Sequence, residues 1–149
     1  MSAPHEYRFP PDPAHVRELR RSLRERLEAA GIREDVVDNV LLVADEIVSN
    51  AIEHSDGYRA EQGNLVVRLS TADDDVLLEF EDPDVPGDMV DQLSEALAAG
   101  TENRPPLDSE RGRGLFLIAL NVDVLTVRER PGGGLLLLGR FHGAARGPR

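Results

Sequence analysis

Residues 37–54, VDNVLLVADEIVSNAIEH, decide how this chain folds. On a wheel of about 100° per residue, Val37, Val40, Leu41, Ala44, Ile47, Val48, Ala51 and Ile52 form one broad apolar face. That is the pattern of a helix with one side in a core. The helix is expected to run from about Glu34 to His54 and to stop before the turn-forming Ser55-Asp56-Gly57. On the opposite side Glu46, Asn50, Glu53 and His54 cluster at spacings of four, three and one. A solvated face in so charged a chain is normally Arg, Glu and Gln, whereas asparagine within a helix is a poor helix former. Glu46 and Asn50 lie one turn apart, so a carboxylate and an amide carbonyl can converge on one point. Both are hard oxygen donors, suited to Mg2+ and its water shell. His54 is read as a helix-end residue favoured by the helix dipole.

Working outward from this helix, His5 to Pro10 reads as a short strand. Asp12-Pro13 reads as a helix start, with Val16, Leu19, Leu23, Leu27 and Ala30 at helical spacing and Gly31 as the stop. After residue 57 the period changes to two. Asn64–Ser70 and Val76–Glu81 read as strands joined by a solvated acidic turn at 71–75. Asp82-Pro83-Asp84-Val85-Pro86-Gly87 breaks the second strand, and Met89–Ala99 reads as a short helix. A polar loop follows at 101–111, then a helix over Leu115–Leu120. Strands at Val122–Arg128 and Leu135–Phe141 flank a turn at Pro131–Gly134. This order predicts an α/β two-layer sandwich: a mixed, mostly antiparallel sheet covered on one face by helices. One domain over 1–149 is expected, with its core at about 6–142 and a disordered tail from Gly143 to Arg149.

Composition narrows the chemistry. The 149 residues are 40% hydrophobic, enough for one core, and carry 28 acidic against 17 basic residues, a formal net charge of −11. That balance argues against direct binding to nucleic-acid phosphates or to an anionic membrane. No apolar run approaches the roughly 20 residues of a membrane span, so a soluble, cytoplasmic protein is expected. Cysteine is absent, which excludes thiolate metal sites and cysteine nucleophiles. Every one of the 17 basic residues is arginine. A phosphate loop of the lysine type and Schiff-base chemistry are therefore excluded as well. Phosphate contacts would have to come from arginine, backbone N–H groups or a metal ion.

Three segments carry a resemblance. Glu46-Ile47-Val48-Ser49-Asn50-Ala51-Ile52-Glu53-His54 resembles the N-box of the GHKL, or Bergerat-fold, ATP-binding superfamily, and within it the bacterial anti-sigma-factor serine/threonine kinases. Gly112-Arg113-Gly114-Leu115-Phe116-Leu117-Ile118 resembles the second glycine box of that family, and Asp82–Gly87 stands where the first belongs. The resemblance implies that Asn50 holds Mg2+, that Glu46 is the catalytic base, and that Asp82 hydrogen-bonds the adenine amino group. It also implies that Asp84, Gly87, Arg111, Gly112, Arg113, Gly114 and Leu115 line the ATP site. A glycine turn opening a helix would suit phosphate on physical grounds too, since it offers free N–H groups and close approach. Arg104 is read as a solvated loop residue.

By the same resemblance the chain would be an ATP-dependent kinase that phosphorylates an anti-anti-sigma partner of the STAS type and sequesters a sigma factor. Homodimerisation is implied by resemblance alone. One position departs from the pattern: Asp84 occupies the place of a glycine. It is expected to crowd the adenine, so that Asp84→Gly would strengthen binding. The kinase is the favoured reading; Asp84 is the feature that supports the alternative, a partner-binding regulatory module with a degenerate ATP pocket and no phosphotransfer.

Overall fold

The computed structural model describes residues 4–53, 63–98, 118 and 120–145. Strand β1 is His5–Phe9 and helix α1 is Val16–Ala29, followed by α2 over Glu34–Glu53. Then come β2 (Leu65–Ala72), β3 (Asp75–Asp82), α3 (Gly87–Ala98), β4 (Val124–Glu129) and β5 (Leu135–Phe141). The strands form one sheet in the order β1-β2-β3-β5-β4, and every pairing is antiparallel. The parallel component of the expected mixed sheet is thus absent among the described strands. The rest of the expected architecture is present, the Bergerat-type two-layer arrangement.

Local chemistry explains the element ends. Asp12 Oδ1 accepts the N–H of Ala14 at 2.9 Å and starts a short 3-10 turn, Pro13–His15, that runs straight into α1. Gly31, at φ +76°, turns the chain out of α1 where a side chain would be strained. Between β2 and β3 the acidic turn tightens to two residues, because Ala72 already pairs with Asp75 and Asp73 adopts φ +55°. Helix α3 begins two residues earlier than expected, since the Pro86 carbonyl accepts the N–H groups of Met89 and Val90.

The core lies between the sheet and the helices. Leu23 and Leu27 of α1, Val37, Val40 and Val48 of α2, and Leu65, Val67, Val76, Leu78 and Phe80 of the sheet are buried together. The buried face of α2 is wider than its wheel suggested, because Val36 and Val43 are buried as well. The helix packs against α1 on one side and faces the sheet on another, so its apolar surface has two partners. Two arginines of α1 bind α2: Arg20 grips Asp45 through two bonds of 2.5 and 3.3 Å, and Arg24 reaches Glu34 and Asp38. On the other face of the sheet, Arg68 pairs with Glu6, Glu79 and Glu81, and Arg130 pairs with Glu81 at 2.9 Å.

The expected disordered tail is corrected over its first residues. Ala144 is fully buried, donates to the Asp74 carbonyl at 2.7 Å, and accepts from Arg33 N–H at 2.8 Å. Ala145 donates to Asp74 Oδ1 at 2.9 Å and bridges to Ile32. Backbone bonds and a buried methyl therefore extend the ordered chain to Ala145. The Asp73–Asp75 turn, expected to be solvated, is the anchor.

Candidate functional site

A hollow of about 70 Å³ lies between the end of α2, the end of β3 and the start of α3. At roughly 10–15 Å³ of accessible volume per water, it is room for about five. Ile47, Asn50 and Ala51 form the α2 wall, while Phe80 and Asp82 line it from β3. Val85, Met89 and Leu93 come from the segment after β3 and from α3; Ile118, Leu135 and Leu137 complete it. Among the described residues, Asn50 and Asp82 are the two polar ones in an otherwise apolar lining. A flat ring with a polar edge fits such a surface: apolar walls take its faces, and one carboxylate takes an N–H.

Asp82 faces the hollow because strand parity demands it. Val76, Leu78 and Phe80 point to the helices, and Asp82 continues their alternation at the end of β3. It is 0% exposed although it borders the hollow. Its Oδ1 accepts the N–H of Asp84 at 3.1 Å, the local bond that aspartate favours where a strand turns.

Of the site residues read from sequence, Asn50 and Asp82 are brought to one hollow. Glu46 lies one turn before Asn50 and is half-buried, but it is not among the lining residues. Asp84 is not among them either: its Oδ2 accepts the N–H of Gly63 at 3.3 Å. Gly87 is the first residue of α3 and likewise stands outside the lining. Arg104, Arg111, Gly112, Arg113, Gly114, Leu115 and His54 lie outside the described residues. Among the described residues no cluster of three or more His, Asp or Glu side chains could cage a metal ion. A Mg2+ here would need oxygens from a phosphate ligand, with Asn50 as a protein donor. That is the habit of Mg2+, which keeps few protein ligands beside substrate phosphates.

Sequence reasoning missed Gly63 and Gly134. A Cβ on Gly134 would lie 2.5 Å from the Asp82 carbonyl oxygen and 2.7 Å from Pro83 Cα, so the glycine turn before β5 is pressed against the hollow's polar end. The three-glycine run at 132–134 signalled a turn; that its last member abuts Asp82 follows only from the β3–β5 pairing, in which Asp82 opposes Leu135.

Residues 9–139 match the family described as the histidine kinase-like ATPase domain. The chain belongs to that family. No curated protein matches it. Among solved structures, this histidine kinase-like ATPase domain is similar to a chain of the SiaB-SiaC complex from Pseudomonas aeruginosa. The TM-score is 0.73 at 17% identity, covering 92% of this chain and 88% of that one. It is also similar to the structure of the RsbU and RsbW domains of Rv1364c from Mycobacterium tuberculosis. There the TM-score is 0.67 at 20% identity, covering 99% of this chain and 34% of that one. At these identities the likeness is one of fold, and this ATPase domain spans about a third of the mycobacterial chain. Among the described residues no helix is long and apolar enough to cross a membrane.

Proposed function

We propose that the chain is a partner-switching regulator that binds Mg·ATP in the hollow and phosphorylates a serine or threonine of an anti-anti-sigma partner, itself sequestering a sigma factor. The observation that carries this reading is the pairing of Asp82, buried at one end of an apolar hollow, with Asn50 on the α2 wall. The protein's likeness in fold to a chain of the SiaB-SiaC complex supports work in a protein complex.

In this reading Asp82 accepts the amino N–H of adenine, and Ile47, Ala51 and Met89 exclude water from its faces. Asn50 supplies an amide oxygen to Mg2+, which when bound neutralises charge on the transferring phosphate. Glu46, one turn back on α2 and open to solvent on part of its surface, takes the proton of the incoming hydroxyl. Its place outside the hollow suits a base that meets a second protein. By the sequence resemblance, Gly112, Arg113 and Gly114, outside the described residues, would meet the phosphates.

Calorimetry with ATP and with ADP, each with and without Mg2+, tests the site. Asn50→Ala is expected to abolish the part of the affinity that depends on Mg2+. Transfer from labelled ATP to a serine-bearing STAS domain, lost in Glu46→Ala, tests the chemistry. Binding of that partner with neither transfer nor nucleotide affinity would establish the regulatory-module reading in its place.

A further inference from the structure

The segment Asp82-Pro83-Asp84 is held from two sides by residues with no room for a side chain. Above it, a Cβ on Gly63 would lie 2.7 Å from Pro83 Cγ, so the β2 approach runs directly over the proline. Below it, Gly134 at φ +106° presses its backbone against Asp82 and Pro83. Arg130 fixes that lower turn, bonding Glu81 at 2.9 Å and the Gly133 carbonyl at 3.1 Å. Between these two layers run two amide bonds in series: Asp84 N–H to Asp82 Oδ1, and Gly63 N–H to Asp84 Oδ2. Each carboxylate thereby receives a backbone donor, which tempers the repulsion between two acids two residues apart.

We propose that Asp84 is a positioning residue: by strapping the segment to Gly63 it holds the N–H that fixes the Asp82 carboxylate in the orientation a nucleotide base meets. A side chain at this position therefore serves the site instead of obstructing it. The inference rests on reading the hollow as a nucleotide site. It adds that base selectivity depends on an acid outside the hollow's lining. A fixed carboxylate accepts the 6-amino group of adenine and is repelled by the 6-carbonyl of guanine; a carboxylate free to turn discriminates less.

The test uses the full chain with Asp84→Ala and Asp84→Asn, the second of which keeps an oxygen for Gly63. ADP and GDP affinities are measured by calorimetry, and amide hydrogen exchange at Gly63 and Asp84 by NMR. Asp84→Ala is expected to weaken ADP binding about tenfold, the worth of one hydrogen bond to a charged group. It should also narrow the ADP-over-GDP preference and speed exchange at Gly63, while Asp84→Asn stays near wild type in all three. ADP binding in Asp84→Ala that equals or exceeds wild type overturns the proposal. So does weakened binding with exchange at Gly63 unchanged, because the loss then arises elsewhere. If the wild-type chain binds no ADP, the nucleotide reading fails by itself and exchange still decides the strap. Gly63 protected in wild type and Asp84→Asn but not in Asp84→Ala sustains it, and equal exchange in all three refutes it.

Discussion

The two ends of β3 are built from the same residue type and put to opposite uses. At the start, Asp74 accepts the N–H groups of Ala144 and Ala145, and Asp75 faces Arg140 at 3.4 Å and His142 at 3.2 Å. At the finish, Asp82 and Asp84 receive backbone amides, and Asp82 is sealed beside an apolar hollow. The first end offers an arginine, a histidine and an exposed turn, so its acids tie down chain. The second buries a carboxylate next to open space, which costs free energy unless donors meet it. An aspartate's surroundings differ between the two ends, and the hollow is what makes the second a candidate site.

The contrast can be broken most severely at Gly134. Gly134→Ala combines a positive φ with overlap against the Asp82 carbonyl, and is expected to destabilise the fold by about 3 kcal/mol in urea unfolding. Gly133→Ala, with nothing within 4 Å, carries only the backbone strain, about 1 kcal/mol. Asp82→Asn, which still accepts from Asp84 N–H, is expected to keep the fold and lose ADP affinity at least tenfold by calorimetry. At the other end, Asp74→Ala removes the bond to Ala145 and is expected to cost about 1 kcal/mol with ADP affinity unchanged. A loss of affinity there would mean that the two ends are not independent.

The smallest effect concerns Glu6. Hydrogen bonds from Arg8 and Arg68 hold its carboxyl below the usual carboxylate range. A depressed value means that its contribution is full above the ordinary pKa of about 4.3 and fades as the pH falls through the folded value. Glu6→Gln should therefore lower the thermal midpoint slightly near neutral pH and match wild type in strong acid.

Much of this architecture was legible in the sequence because it is written in local periodicity. The 3.6-residue pattern of α2, the two-residue pattern of β2, β3 and β5, and the Asp12 and Gly31 punctuation need no knowledge of distant residues. What escaped was set by tertiary partners. Val36 and Val43 are buried because α2 has two packing surfaces, and one wheel face cannot reveal the second. Ala144 looked like tail because alanine carries little pattern, yet it fills space between Asp74 and Arg33. Asn50 was singled out by its type and its spacing from Glu46, and Asp82 by the family resemblance; both line the same hollow. The bond between Asp84 and Gly63 was not legible, because the two stand far apart along the chain and no local rule links them.

The order β1-β2-β3-β5-β4 carries a kinetic consequence. β2 and β3 join through a two-residue hairpin and can pair early, whereas β3 and β5 meet only after the chain between them, including α3, has been looped out. The wall of Leu135 and Leu137 and the clamp at Gly134 therefore assemble with the late, non-local closure. A molecule lodged against Asp82 has nothing to grasp before that closure, so its stabilisation should be felt as slower unfolding with the folding rate left nearly as it was.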